Sequence, residues 1–175
     1  DLLLYKSIET KDKVYTLNSN ISVDEGLFLF NLIKKYNPKN IIEIGLACGV
    51  SAAFILLAMD KKSKLTSVDP FQKYQWEKFG LVLVDKIIKE SKLKKANHKW
   101  EPYYSHTFFS KKNSKYDLCF IDGDHSYEGT MIDLVGCHNL LEKNGLLVID
   151  DVLHFPVKKA LNDFMSKNNN NYKII

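Results

Sequence analysis

The sequence predicts an α/β protein built on a doubly wound, mostly parallel sheet flanked by helices. Strand-like apolar blocks alternate with helix-like blocks along the chain, which is typical of a parallel sheet covered on both faces. Several of these strands are almost wholly apolar, as buried parallel strands are. Glycines and acids follow the strands, and ligands bind at the carboxyl ends of the strands in such sheets. The expected fold class is therefore Rossmann-like.

The first half of the chain supplies three strands of this sheet. A helix is predicted at 22–36, where Ser22 and Glu25 have the S-x-x-E spacing of a capping box, which satisfies free backbone N–H groups at a helix start. The elements that follow are a β-branched strand at 41–46, a helix at 50–60, a strand at 64–70 closed by Pro70, a helix at 76–92 and a short strand at 98–104.

The second half continues the alternation and gives a single domain over 1–175. The predicted elements are a strand at 116–124, a helix at 128–145, a strand at 146–154, a helix at 155–168 and a strand at 172–175. The segment 1–20 is expected to be an amino-terminal extension, and 21–175 the Rossmann-like core.

Composition narrows the class of protein. The chain has 175 residues, 45% apolar and 26% charged, with a formal charge of +4, which is typical of a soluble globular domain. All its basic residues are lysine, so bidentate arginine recognition of phosphate or guanine is excluded. No apolar run reaches the roughly 18–20 residues of a membrane span. Three cysteines without a CxxC pair favour reduced thiols and a cytoplasmic location.

The turn after the first core strand carries the clearest binding signal. It reads EIGLACGVS, from Glu43 through Gly45 and Gly49 to Ser51. Glycines allow a ligand to approach the backbone, and the helix start offers free N–H groups. The E-x-G-x-x-x-G spacing matches neither the dinucleotide fingerprint nor a phosphate loop. It favours a nucleoside ligand without a pyrophosphate, with Asp69 at the next strand end placed to accept bonds from ribose hydroxyls.

These segments resemble a known family. EIGLACGVS followed by SVDP is similar to motifs I and II of class I S-adenosylmethionine-dependent methyltransferases. FIDGDHSYEG and GLLVIDDVLH resemble the family-24 methyltransferases and the catechol and caffeoyl-CoA O-methyltransferases. The resemblance covers roughly residues 20–155. It implies the class I methyltransferase fold, which we expect here without its usual seventh, antiparallel strand.

The resemblance also implies S-adenosylmethionine as cofactor. Residues implied in its binding are Glu43, Gly45, Gly49, Ser51, Asp69, Phe71, Ser105 and Asp122. The two glycines would pass close to the methionine part, Asp69 would bind the ribose, and Phe71 would flank the adenine. Ser105 falls where relatives often have an acid near the adenine, so this chain departs from the pattern there.

The same resemblance implies a metal site and a base. Asp122, Asp150 and Asp151 match the positions that hold Mg²⁺ or a similar ion, although relatives carry Asn at the last of them. His125 stands where relatives place a catalytic lysine, and histidine is a suitable general base near neutral pH. Asp122 is also predicted to be a catalytic residue. A purely hydrogen-bonded acidic cluster remains the alternative, and for Asp124 a local role, capping a helix or binding backbone donors, is favoured.

The predicted function is methyl transfer from S-adenosylmethionine to a hydroxyl of a small molecule or sugar, assisted by a divalent metal. Three alternatives stay open: a non-catalytic Rossmann-like binding module, an NAD-dependent oxidoreductase, which the glycine spacing argues against, and nucleic-acid methylation, for which no N-P-P-Y-type motif is present. The expected partners are the small acceptor and a second copy of the chain, with neither membrane nor nucleic acid.

Overall fold

A computed structural model describes residues 7–9, 14–16, 21–91, 93–168 and 172. Its strands are β1 (Ser7–Glu9), β2 (Val14–Thr16), β3 (Asn40–Ile44), β4 (Lys64–Val68), β5 (His98–Glu101), β6 (Tyr116–Ile121) and β7 (Leu141–Ile149). Its helices are α1 (Val23–Tyr36), α2 (Val50–Ala58), α3 (Phe79–Glu90), α4 (Ser105–Lys111), α5 (Tyr127–Leu140) and α6 (Phe155–Asn168), with a short 3-10 helix at Lys95–Asn97.

The central sheet has the strand order β5-β4-β3-β6-β7, and all four pairings are parallel. The chain therefore winds outward in one direction from β3 through β5, then returns to the other side with β6 and β7. This doubly wound arrangement confirms the predicted fold class. It also opens a crevice between the carboxyl ends of β3 and β6, where the winding direction reverses. Strands β1 and β2 form a separate antiparallel pair.

Side-chain alternation along β3 divides the core into two layers. Ile41 packs with the apolar faces of α1, α2 and α3, whereas Ile42 and Ile44 pack with α4, α5 and α6 on the other face. Successive side chains of a strand point to opposite faces, so Glu43 faces the same layer as Ile41. Among the described helices, none combines the length and apolarity needed to cross a membrane.

The capping box predicted at the start of α1 is confirmed. The Ser22 Oγ accepts from the Glu25 N–H at 3.3 Å, and the Glu25 Oε2 accepts from the Ser22 N–H at 2.6 Å. Strands β5, β6 and β7 end earlier than predicted, at Glu101, Ile121 and Ile149, and β7 also begins earlier, at Leu141. The polar residues beyond these ends belong to the loops that form the crevice.

Two further differences concern helices. No helix was predicted at Ser105–Lys111, where α4 lies. This helix has seven residues, too few to show a clear periodicity. The predicted helix at 128–145 ends at Leu140, because β7 begins at Leu141. The predicted strand at 172–175 lies outside the described residues apart from Tyr172.

Candidate active site

A cavity of about 640 Å³ lies at the carboxyl edge of the sheet, within the size range of small-molecule sites. The strand-end residues singled out from the sequence all line it: Gly45, Asp69, Asp122, Asp150 and Asp151. Their predicted convergence on one edge is confirmed. Phe71 and Ser105 also line the cavity, whereas Glu43, Gly49 and Ser51 are outside its lining.

The glycine turn allows β3 and β6 to approach each other closely at the crevice. Gly45 has φ +91°, and a Cβ there would overlap the Asp122 carbonyl oxygen and lie 2.8 Å from its carbon. The Asp122 N–H donates to the Ile44 carbonyl at 2.9 Å. Gly49 precedes α2 with φ +80°, and a Cβ there would lie 2.8 Å from the Gly80 carbonyl oxygen. Gly49 therefore permits helix packing behind the turn.

Glu43 holds the turn from behind. Its carboxylate is fully buried and accepts hydrogen bonds from the Ser51 Oγ at 2.5 Å and the Ser67 Oγ at 2.7 Å. Burial raises the pKa of Glu43 to about 7, although the two hydroxyl bonds oppose this. Glu43 thus joins β3, the start of α2 and β4 and fixes the orientation of the turn.

Asp69 is a second organiser of the turn. It is 3% exposed, and its Oδ2 accepts from the Leu46 N–H at 3.2 Å, the Ala47 N–H at 2.8 Å and the Gln72 side-chain amide at 3.0 Å. Its Oδ1 accepts from the Phe71 N–H at 2.6 Å. Since each carboxylate oxygen has about two acceptor sites, Oδ1 keeps capacity for one more donor. The ribose contact stays a prediction.

Aromatic side chains form one end of the cavity. The rings of Phe71 and Tyr104 lie perpendicular with centroids 5.6 Å apart, and His106 stacks on Tyr104 at the same separation. Phe71 and Tyr104 are 41% and 54% exposed. Trp76 and Ser105 also line the cavity. Exposed aromatic faces of this kind suit a flat apolar ring.

An imidazole and two carboxylates meet at another part of the cavity. The His125 Nε2 lies 3.2 Å from the Asp122 Oδ1 and 3.3 Å from the Asp151 Oδ2. One potential ligand atom from each of these residues lies within 4.8 Å of the others. Asp150 is outside this group, and its Oδ1 accepts from the Asp151 N–H at 2.8 Å. Two members of the predicted metal set, Asp122 and Asp151, thus meet His125 in this group, and the set of Asp122, Asp150 and Asp151 stays a prediction.

The charges around His125 favour its protonated form. The hydrogen bond to Asp122 raises the pKa of His125, the charge of Asp151 adds to this, and partial burial opposes it. Burial raises the pKa of Asp150 to about 6, with a contribution from the nearby charge of Asp122. The group can hold a proton or a cation between its carboxylates. The His154 ring centroid lies 6.3 Å from that of His125.

Asp124 has the local role favoured from the sequence. Its Oδ1 accepts from the Ser126 N–H at 2.9 Å, directly before α5. The Ser126 hydroxyl in turn accepts from the Gly129 N–H at 3.0 Å and caps the helix.

Sequence reasoning missed Asp133. This residue lies on α5, is 1% exposed and lines the cavity. Its Oδ1 has no hydrogen-bond partner among the described residues. The available signal was an acid within the apolar stretch MIDLV of a helix, because a buried acid needs a partner.

Comparison with known proteins gives the family. A sequence profile described as "Methyltransferase domain" matches residues 42–152, and the chain belongs to this family. Caffeoyl-CoA O-methyltransferase of Populus kitakamiensis is 27% identical over 149 residues, which cover 82% of this chain and 60% of that protein. The Medicago sativa enzyme of the same name is 33% identical over 119 residues, covering 65% and 47%. The chain thus spans about half to three fifths of these relatives' length.

Solved structures give the same fold. An O-methyltransferase from Bacillus cereus in complex with SAH superposes with a TM-score of 0.71 at 16% identity, covering 87% of this chain and 72% of that one. TomG of Streptomyces achromogenes, an O-methyltransferase in complex with SAM, gives 0.69 at 14% identity, covering 89% and 72%. The fold is that of class I Rossmann-like methyltransferases.

Proposed function

We propose that this member of the methyltransferase family transfers a methyl group from S-adenosylmethionine to a hydroxyl of a small molecule or sugar. One observation carries the proposal: residues of the glycine turn and of the His125 cluster line the same cavity. A nucleoside site and a proton-accepting group therefore open into one space. Family membership supports the reaction class, and the Populus and Medicago relatives are named as O-methyltransferases.

The cavity residues fit both the cofactor and the chemistry. S-adenosylmethionine, when bound, supplies a methyl group on a positively charged sulfur. The methyl group would pass to the acceptor oxygen, and the sulfur would keep the electron pair of the bond to the methyl carbon. The acceptor's proton passes to the Nε2 of His125, which must be neutral to receive it. Holding both reactants in line supplies much of the rate.

We also propose that Asp122, His125 and Asp151 bind a divalent cation. Two carboxylate oxygens and an imidazole nitrogen suit a metal such as Mn²⁺ or Zn²⁺ better than Mg²⁺, which prefers oxygen ligands alone. Such an ion would lower the pKa of a bound acceptor hydroxyl. His125 cannot accept a proton through the same nitrogen that binds a metal, so the two roles are exclusive at Nε2 and are separated by the experiments below.

Cofactor binding is the first test. Calorimetric titration of S-adenosylmethionine into the wild-type chain should give micromolar affinity, and Asp69→Ala should weaken it by about tenfold or more, because the turn loses the buried acceptor of several hydrogen bonds. The control is Asp60→Ala, which removes an exposed aspartate paired with Lys39 outside the cavity. Folded wild-type protein that does not bind the cofactor would contradict the proposed function.

Metal binding is tested separately with Mn²⁺ and electron paramagnetic resonance. Wild type should bind Mn²⁺, and Asp151→Asn should weaken binding at least tenfold because one anionic ligand is lost. Asp163→Asn is the control, since Asp163 pairs with Lys159 on α6. Equal Mn²⁺ affinity in wild type and Asp151→Asn would rule out this metal site, while methyl transfer by His125 as a base would still stand.

A further inference from the structure

Asp133 is the buried acid in the cavity that the proposed reaction leaves without a role. Its side chain is almost fully buried, yet its Oδ1 has no hydrogen-bond partner among the described residues. A buried carboxylate oxygen without a partner loses the hydrogen bonds that water would give it, which is unfavourable. Because Asp133 also lines the cavity, a ligand in the cavity is positioned to supply the missing donor.

The neighbours of Asp133 indicate which end of the cavity it serves. The Ser105 hydroxyl interacts with its carboxylate, and Ser105 directly follows Tyr104, whose ring contacts Phe71. Asp133 is therefore next to the aromatic end of the cavity. A flat ring held by Phe71 and Tyr104 would have its edge near Ser105 and Asp133.

Gly123 lies close to this carboxylate at the cavity wall. A Cβ at Gly123 would lie 2.8 Å from the Asp133 Oδ2 and 3.1 Å from the Ile44 Cγ2. A residue without a side chain therefore lets the loop after β6 lie directly against Asp133. Gly123 lines the cavity as well, so the loop residue that contacts Asp133 also faces a ligand in the cavity.

We propose that Asp133 recognises the exocyclic amine of the adenine ring, accepting a hydrogen bond from it. This inference rests on the proposed cofactor. Burial raises the pKa of Asp133 to about 7, and an N–H donor from the ligand favours the ionised carboxylate.

The test uses three ligands with wild-type protein: S-adenosylhomocysteine, its inosine analogue with a 6-oxo group, and its purine analogue with hydrogen at position 6. Wild type should bind both analogues about tenfold or more weakly, since neither offers the amine and the buried acceptor stays unpaired. This comparison needs no variant. Equal affinity for all three would overturn the inference while leaving cofactor binding intact. Failure to bind S-adenosylhomocysteine would overturn the proposed function as well.

Asp133→Asn separates recognition from a structural role. An amide presents both a donor and an acceptor, so this variant should bind the 6-oxo analogue within about threefold of S-adenosylhomocysteine and still discriminate against the 6-hydrogen analogue. Glu101→Gln is the matched control, since it makes the same acid-to-amide change at a buried carboxylate that pairs with Lys99 and Lys112 outside the cavity lining. It should keep the wild-type ratios. Unchanged ratios in Asp133→Asn would overturn the inference.

Discussion

Replacing His125 by alanine should lower kcat by about two to four orders of magnitude, the usual contribution of a positioned general base. Affinity for S-adenosylmethionine should change by less than about threefold, because the glycine turn and Asp69 do not contact the imidazole. The expected loss follows from the position of Nε2 between two carboxylates, 3.2 and 3.3 Å away, which stabilise the imidazolium that proton transfer forms. Single-turnover methyl transfer to a catechol acceptor, with cofactor affinity from calorimetry, measures both quantities.

Adding imidazole or Mn²⁺ to the His125→Ala variant distinguishes the two proposed roles of the side chain, proton acceptor and metal ligand. Added imidazole should restore part of the rate to His125→Ala if the side chain accepts a proton, whereas excess Mn²⁺ should restore it if the side chain binds metal. His154→Ala is the control: its ring lies 6.3 Å from that of His125, and its rate should stay within about threefold of wild type. A His125→Ala rate above one tenth of wild type would contradict both roles.

The sheet and the position of the site could be predicted from the sequence because both depend on local patterns. Buried parallel strands are continuous apolar runs, so β3, β6 and β7 were recognisable. The carboxyl ends of such strands share an edge, which predicted that Gly45, Asp69 and Asp122 line one cavity. The spacing of Ser22 and Glu25 similarly predicted a capping box that depends only on residues three apart.

The sequence does not predict which residues form the His125 cluster. Asp150 and Asp151 are adjacent, and which carboxylate turns toward His125 depends on the backbone. Asp151 has φ 52°, a left-handed conformation that aspartate tolerates better than most residues. In the loop that contains this turn, the Oδ1 of Asp150 bonds to the Asp151 N–H, while Asp151 reaches His125. The spacing of two adjacent acids does not encode such a turn.

Asp133 illustrates a second limit. Its place on α5 was predicted, but its partner-free Oδ1 depends on where α4 and the loop after β6 lie around it. Neither the short α4 nor the contact of Gly123 with Asp133 follows from a periodic pattern. Sites assembled from different elements need the packing of those elements, which is a property of the folded chain.

The largest stability effect is expected at Gly45. Gly45→Ala should lower the free energy of unfolding by more than about 3 kcal/mol: about 1–2 kcal/mol arises from a Cβ in the left-handed region, and the rest from overlap with the Asp122 backbone. The neighbouring atoms are the carbonyl of Asp122 and the Cα of Gly123, which cannot rotate away as a side chain would. Relief therefore requires β3 and β6 to separate at the crevice. Urea denaturation followed by circular dichroism measures the change.

Ala47→Gly in the same turn is a control that is expected to leave the free energy of unfolding unchanged or to raise it. Ala47 has φ 42°, so glycine relieves left-handed strain, and the gain in folded-state energy offsets the entropy that glycine adds to the unfolded chain. This variant should match wild type or exceed its stability by up to about 1 kcal/mol.

Because the turn contributes to the proposed cofactor site, Gly45→Ala should also weaken S-adenosylhomocysteine binding at temperatures where it remains folded. A Gly45→Ala variant as stable as wild type would show that the two strand ends can separate at little cost, and the close approach of Gly45 to Asp122 would then not be what shapes the crevice.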